Sequence, residues 1–341
     1  MPERYRRVVD PVDALERIAT LLERERAPSY KAEAFRKAAD AVRGRDDLAD
    51  VAAGGALREI PNVGSSTARV IEQALAGDVP EYLARLEAEA EPDSGAGAEL
   101  RAALRGDLHT HSDWSDGGAT IEDMARGARG LGHEYLALTD HSPSLTVARG
   151  LDADRLRRQL DVVGALNEEL APFRILTGIE VDILEDGALD QDEELLAELD
   201  VVVASVHSKL RMAEGPMTDR MVAAVANPFV NILGHCTGRM VLGRGRPEST
   251  FDPDLVFGAC AHFDVAVEIN CRPERLDPPM RLLEQVVGGG CRVSIDSDAH
   301  AVGQLQWQPY GCARAADAGL APDRVVNTWS ADELLAWSRP S

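Results

Sequence analysis

The sequence predicts an α/β protein: a closed or nearly closed seven-stranded (β/α) barrel preceded by a small all-helical domain. Three observations predict it. Through residues 1–90, apolar side chains recur at helical spacing, with no β-branched alternating run between them. Beyond that, seven short β-rich apolar runs alternate with helical segments, about 25–40 residues apart, as parallel βαβ units require. Six of the eight histidines fall at the ends of those runs.

The elements follow in order. Val12, Leu15, Ile18, Ala19 and Leu22 mark one helical face, and Tyr30, Ala34, Phe35, Ala38 and Val42 mark a second. An acidic stretch rich in small residues then begins at Glu87 and reads as a linker. The expected division is a helical domain over 1–90, a linker over 91–103 and the barrel over 104–341. The strand runs are 103–108, 135–139, 174–183, 201–206, 230–233, 265–269 and 292–295. Polar residues collect where these runs end, which favours a barrel mouth over an open doubly wound sheet.

Composition narrows the setting. The formal net charge is −22, with 14 Lys+Arg against 17 Asp+Glu in residues 1–90 and 22 against 41 in the remaining 251. That balance excludes bulk attraction to nucleic acid or anionic membrane, and bound divalent cations could offset the acidity of the second part. No apolar run is long enough for a membrane span, and the charged N-terminus leads into no signal-like segment. The five cysteines are scattered singly, so a reducing, cytoplasmic location is expected rather than a disulfide framework.

The chemistry lies at the strand ends. His109, His111, His141, His207, His235 and His300 sit there with Asp116, Glu180 and Asp298. Neutral imidazole with carboxylate suits Zn²⁺, Mn²⁺ or Fe²⁺. Nine such groups are too many for one ion and suit two or three. In His109-Thr-His111 the two rings share a strand face, and Asp298-Ala-His300 repeats the spacing. His133 and His262 read as surface or helix-end histidines.

These residues resemble a known family. Asp107-Leu-His-Thr-His-Ser-Asp, Leu138-Thr-Asp-His-Ser, Thr177-Gly-Ile-Glu-Val-Asp, Ala204-Ser-Val-His-Ser, Leu233-Gly-His-Cys-Thr-Gly-Arg and Ser294-Ile-Asp-Ser-Asp-Ala-His resemble the PHP (polymerase and histidinol phosphatase) superfamily, closest to the PHP module of bacterial family X DNA polymerases. Glu268-Ile-Asn and Arg275-Leu-Asp extend the similarity. The resemblance implies a distorted seven-stranded barrel with a trinuclear centre. His109, His111, Glu180 and Asp298 would hold one ion. Glu180, His207 and His235 would hold a second, and Asp116, His141 and His300 a third. Cys236 and Cys271 depart from the family pattern and read as buried packing residues.

The first domain also carries a resemblance. Leu57-Arg-Glu-Ile-Pro-Asn-Val-Gly-Ser-Ser-Thr-Ala-Arg-Val-Ile looks like the helix-hairpin-helix of family X polymerases. Its turn would aim backbone N–H groups at a DNA phosphate, through Gly64, Ser65, Ser66 and Thr67, with Lys31 reaching a 5′-phosphate. Asn62 stands where the family often has glycine and still tolerates a left-handed backbone. The family's Schiff-base lysine is missing, since Ser66 and Val70 occupy that stretch and no lysine lies between 38 and 208. No palm or fingers sequence lies between the two parts.

The expected activity is phosphoester hydrolysis by a metal-activated hydroxide. Arg239 and Arg275 would clamp phosphate oxygens, and Asp140 would orient the ring of the neighbouring His141. The leading expectation is a DNA-processing exonuclease or phosphodiesterase acting on DNA ends or gaps in repair. The alternatives are a small-molecule phosphomonoesterase of the histidinol-phosphatase kind, acting on a phosphorylated metabolite, and a non-catalytic DNA-binding module. No obligate protein partner can be inferred.

Overall fold

The computed structural model describes residues 10–339 apart from 26, 90–94, 96, 243 and 244. The chain divides into two compact units, Met1–Pro92 and Asp93–Ser341. Among the described residues no helix is long and apolar enough to cross a membrane.

The first unit is helical: α1 (Pro11–Arg24), α2 (Ser29–Val42), α3 (Leu48–Ala53), α4 (Ser65–Leu75) and α5 (Glu81–Glu89). Asp10 starts α1 by accepting the N–H groups of Val12 and Asp13, with Pro11 in the first turn. Leu15, Ile18, Leu21, Phe35, Ala38, Ile60, Val63 and Ile71 share one buried core. The hairpin turn places Asn62 at φ 67°, the left-handed conformation that asparagine tolerates. Thr67 then closes the start of α4: its hydroxyl accepts the Gly64 N–H at 2.9 Å and donates to the Gly64 carbonyl at 3.1 Å.

The second unit opens with α6 (Ala98–Ala103), which lies inside the stretch read as a linker and buries Leu100. Of the rest of that stretch, 91–94 and 96 lie outside the described residues. Strands and helices then alternate: β1 (Gly106–Thr110), α7 (Ile121–Gly130), β2 (Tyr135–Leu138), α8 (Ala153–Leu170), β3 (Arg174–Asp182), α9 (Glu193–Leu196) and β4 (Val201–Ser205). They continue through α10 (Glu214–Val225), β5 (Ile232–Leu233), α11 (Pro253–His262), β6 (Ala266–Asn270), α12 (Met280–Gly288), β7 (Val293–Asp296), α13 (Gln308–Asp317) and α14 (Ala331–Ser338).

All seven strands pair in parallel, in chain order. A bridge from Thr110 to Ala299 brings the first strand to the end of the last, giving a nearly closed barrel. Period-two alternation sorts the side chains. Ile179, Val181 and Ile183 join Val202, Ala204, Met217 and Met221 in one apolar cluster. Glu180 and Asp182 therefore face the other way. Likewise Val265, Val267 and Ile269 lie in that cluster while Glu268 and Asn270 are turned inward.

Two sets of hydrogen bonds lock the join that closes the barrel. Between β1 and β7, Asp296 accepts the Leu108 N–H at 2.9 Å and Asp107 accepts the Ser297 N–H at 3.2 Å. At the same β1–β7 join, buried Asn327 accepts the Ile295 N–H (2.8 Å) and donates to the carbonyl of Gly106 and a carboxylate oxygen of Asp296. Asn327→Ala strands these buried groups and is expected to cost about 3 kcal/mol, read as a lower urea midpoint with an unchanged slope.

Candidate metal centre

β1 carries the first two histidines, and its register against β2 shifts between Asp107 and Thr110. That irregularity falls where His109 and His111 are presented, as strand bulges beside functional sites do. His141 follows β2 and bridges to Glu180 on β3. His207 and His235 follow β4 and β5. Asp298 and His300 follow β7, with Asp298 at φ 52°, an uncommon backbone for a residue other than glycine.

Glu180 is the centre of the arrangement and is almost fully buried. Its Oε2 lies 3.3 Å from His109 Nε2, 3.6 Å from His111 Nε2 and 2.9 Å from His141 Nδ1. Its Oε1 lies 3.2 Å from His207 Nε2 and 2.9 Å from His235 Nε2. On the far side, Asp116 Oδ1 is 3.5 Å from His141 Nε2 and 3.3 Å from His300 Nε2. Asp298 Oδ1 is 3.4 Å from His111 Nε2. The nine predicted side chains thus meet at one place.

Among the described residues, three groups have candidate ligand atoms within 4.8 Å of one another: His109, His111 and Glu180; His141, Glu180 and His207; and His111, Asp116, His141 and His300. This differs from the partition implied by the resemblance, because His141 and His111 each stand between two groups. Both Glu180 oxygens, both ring nitrogens of His111 and His235, and Nε2 of His109 and His207 are buried without a hydrogen-bond partner. Buried lone pairs left unsatisfied are costly unless something else binds them. The donor set fits divalent cations of the zinc, manganese or iron class.

Residues 9–79 match the family model of a helix-hairpin-helix domain, and residues 107–238 match that of the PHP domain. Residues 107–238 are a PHP domain. The chain is 38% identical over 234 residues to the DNA polymerase/3'-5' exonuclease PolX of Bacillus subtilis, a match covering 69% of this chain and 41% of that protein. The chain therefore spans less than half the length of that relative. It is 29% identical to a probable phosphatase of Thermoanaerobacter sp. (strain X514), across 65% of this chain and 89% of that protein. A solved histidinol phosphate phosphatase from Lactococcus lactis, complexed with zinc, L-histidinol and phosphate, superposes with a TM-score of 0.46 at 19% identity, covering 64% of this chain and 95% of that one.

Around the PHP cluster, residues that the sequence reading passed over hold the rings. Glu268 Oε1 lies 2.6 Å from His109 Nδ1, and Asp182 contacts His207 Nδ1. A carboxylate behind a ligand ring fixes its tautomer and leaves Nε2 facing inward. The i, i+2 spacing of Glu180 and Asp182, and the position of Glu268 between outward Val267 and Ile269, carried this signal. Arg272 was also missed. Its Nη1 lies 3.1 Å from His300 Nδ1 and 3.5 Å from Asp298 Oδ1.

Several expectations need correction. Asp140 does not orient His141. It accepts from Ser112 (N–H 2.8 Å, hydroxyl 2.6 Å), Ser115 (2.5 Å) and Gln159 (2.6 Å), and so ties down the loop bearing Asp116. Arg239 is no phosphate clamp, since it donates to the carbonyls of Arg275 and Leu276 and lies 3.4 Å from Glu248. Arg275 does face the site, with Nε 3.2 Å from Asp298 Oδ2 and Nη1 buried without a hydrogen-bond partner. His133 is buried rather than on the surface. In the first unit, Lys31, Gly64, Ser65, Ser66 and Thr67 line one cleft with Tyr30 and Tyr82. Thr67 and the Gly64 N–H satisfy each other, so neither is free for a phosphate. The N–H groups of Ser65 and Ser66 lie in the first turn of α4, which has no intrahelical acceptor for them.

The electrostatics couple the groups. Burial opposes the charge on Glu180, but His207, His109 and His141 hold its carboxyl well below the usual range. Burial, then His300 and His141, press His111 down. Burial and Arg275 bring His235 to about 3. For His207, burial lowers the pKa, yet Glu180 and Asp182 outweigh it and lift it to about 9. A raised histidine pKa stabilises the fold fully below the unfolded value of 6.5, and that contribution is lost as pH rises through 9. Chelator-treated protein should therefore lose stability across that window, and Asp182→Asn should flatten the loss, as followed by urea unfolding at a series of pH values. With metal present, Glu268→Gln or Asp182→Asn should weaken metal affinity by about 10–100-fold in a competitive chelator titration.

Proposed function

We propose that this chain is a divalent-metal-dependent phosphoester hydrolase that acts at DNA ends. The observation that carries the reading is the convergence of six histidines with Asp116, Glu180 and Asp298 on one place, with buried nitrogens and oxygens that nothing in the protein satisfies. His109, His111, His207, His235 and Glu180 would hold cations on one side, and Asp116, His141, His300 and Asp298 on the other. Bound divalent cations supply Lewis-acid charge and make water a usable nucleophile near neutral pH. The protein contributes orientation and charge. Glu268 and Asp182 fix the rings of His109 and His207. Arg275 faces the cluster with donors to spare for a phosphoryl oxygen.

DNA as the substrate is supported by the helix-hairpin-helix unit and by the similarity to a polymerase/exonuclease. Lys31 and the first-turn N–H groups of α4 lie in the same cleft, where a phosphate would be held. A second reading, a phosphatase of small esters, is favoured by one observation. The probable phosphatase relative is matched along 89% of its own length.

The full chain, supplied in turn with Mn²⁺, Zn²⁺ and Fe²⁺, should release product from an end-labelled gapped duplex faster than it hydrolyses histidinol phosphate. Glu180→Gln should reduce that turnover by more than about a hundredfold. Lys31→Ala should weaken duplex-end binding in fluorescence anisotropy and lower the salt slope by about one. Turnover of the small ester alone, untouched by Lys31→Ala, would establish the second reading instead. No turnover of either with any of the three metals would refute hydrolysis.

A further inference from the structure

The loop from Ser142 to Leu151, between β2 and α8, is braced along its whole length. At its end the Leu151 N–H donates to the carbonyl of His141 at 2.7 Å. Asp190 holds the first half, accepting from the Ser142 hydroxyl at 2.9 Å and from the Ser144 hydroxyl and N–H, each at 2.6 Å. In the second half a single 3₁₀ turn, Thr146–Ala148, is closed by Arg149 at φ 57°, an uncommon backbone for a residue other than glycine. Gly150 packs so closely on the Ser142 carbonyl that no β-carbon fits there. Arg155 donates to the carbonyls of Arg149 and Gly150, and Arg149 donates to those of Asp113 and Ser115. The loop thus ties together the segments that carry His141 and Asp116, at the mouth of the barrel. Ala148 and Leu151 are buried beneath it, yet Val147 between them is 88% exposed, the most of any large apolar side chain among the described residues. Scattered exposed apolar residues are ordinary on a protein surface. This one differs because the braced backbone around it, strained at Arg149, cannot relax to bury it.

We infer that Val147 is a specificity-determining residue that packs against the base of the nucleotide whose phosphate reaches the cluster. The end of the strand is then held by its base as well as by its phosphate. The inference rests on the DNA-end reading and adds a base contact to it. Charge sorts the mouth of the barrel. Asp113 and Asp116 are exposed on the neighbouring loop, and they disfavour a phosphate beside Val147. The guanidinium of Arg149 is engaged by backbone carbonyls. Arg275 instead faces the cluster from the turn after β6, which lies across the ring of strands from β2. A nucleotide has the matching polarity, an anionic phosphate at one end and the uncharged face of a base at the other. Contact with that face removes the valine side chain from water, which favours association. Every base offers such a face, so the contact carries no sequence preference.

The test uses the full chain loaded with Mn²⁺ and two end-labelled gapped duplexes. One is intact, and the other carries tetrahydrofuran, a sugar analogue without a base, at its strand ends. The wild type should favour the intact duplex in kcat/KM by about five- to tenfold. Val147→Ser should bring that ratio close to one, and Val147→Ile should keep it. The thermal midpoint should not move in either variant, because the side chain is exposed. Calorimetric titration with thymidine 5′-phosphate and deoxyribose 5-phosphate gives a readout without turnover: the wild type should bind the first more tightly, and Val147→Ser should erase the margin. Where DNA is turned over, a wild-type ratio near one, a ratio that survives Val147→Ser, or an equal loss on both duplexes would overturn the inference. Where DNA is not turned over, the DNA-end reading falls and the titration alone decides. A margin erased by Val147→Ser would then leave the base contact standing, and an absent or unchanged margin would refute it.

Discussion

An ionised carboxylate sealed inside a protein is among the least affordable groups a fold can contain, and Glu180 is one. Five imidazole nitrogens face its two oxygens, yet none makes a hydrogen bond of acceptable geometry. Such a group is tolerated only where positive charge surrounds it. Much of the barrel can be read as the means of delivering that charge. Alternation along β3 turns Glu180 inward, the irregularity in β1 presents two rings together, and β2, β4 and β5 each add an imidazole where they end.

The segments carrying these side chains are mostly irregular, so their backbone carbonyls find no sheet or helix partner. Arginines fill the gap repeatedly. Arg149 donates to the carbonyls of Asp113 and Ser115, and Arg155 to that of Trp114, bracing the loop of Asp116. Arg220, almost fully buried, donates to the carbonyls of Ile183 and Ser208 and so ties the end of β3 to the segment after His207. Arg239 does the same for Arg275 and Leu276. Guanidinium suits this work because its fork of donors can serve two carbonyls at once.

The barrel and the meeting of nine imidazoles and carboxylates at its strand ends were legible because apolar runs and polar ends are local signals. What was misread depended on geometry beyond the local chain. Apolar character in β1 stops at Leu108, so the reading ended the strand there, but pairing runs on to Thr110 through Leu138 and Ala299. Asp140 adjoins His141, and neighbours on an extended chain point apart, which sends its carboxylate to Ser112, Ser115 and Gln159. Arg239 and Arg272 have similar reach in sequence terms. Only the turn at 272–276 decides that one braces carbonyls while the other meets Asp298.

The join between the first and last strands has a bearing on how the molecule is assembled. Asp107 and Ser297 are 190 positions apart, and their hydrogen bond forms only after every intervening unit is laid down. His111 and Asp298 sit across that same join. Completing the ring of strands and completing the cluster of imidazoles and carboxylates are therefore one act, and a chain halted partway around would own most of those side chains but not the place where they meet.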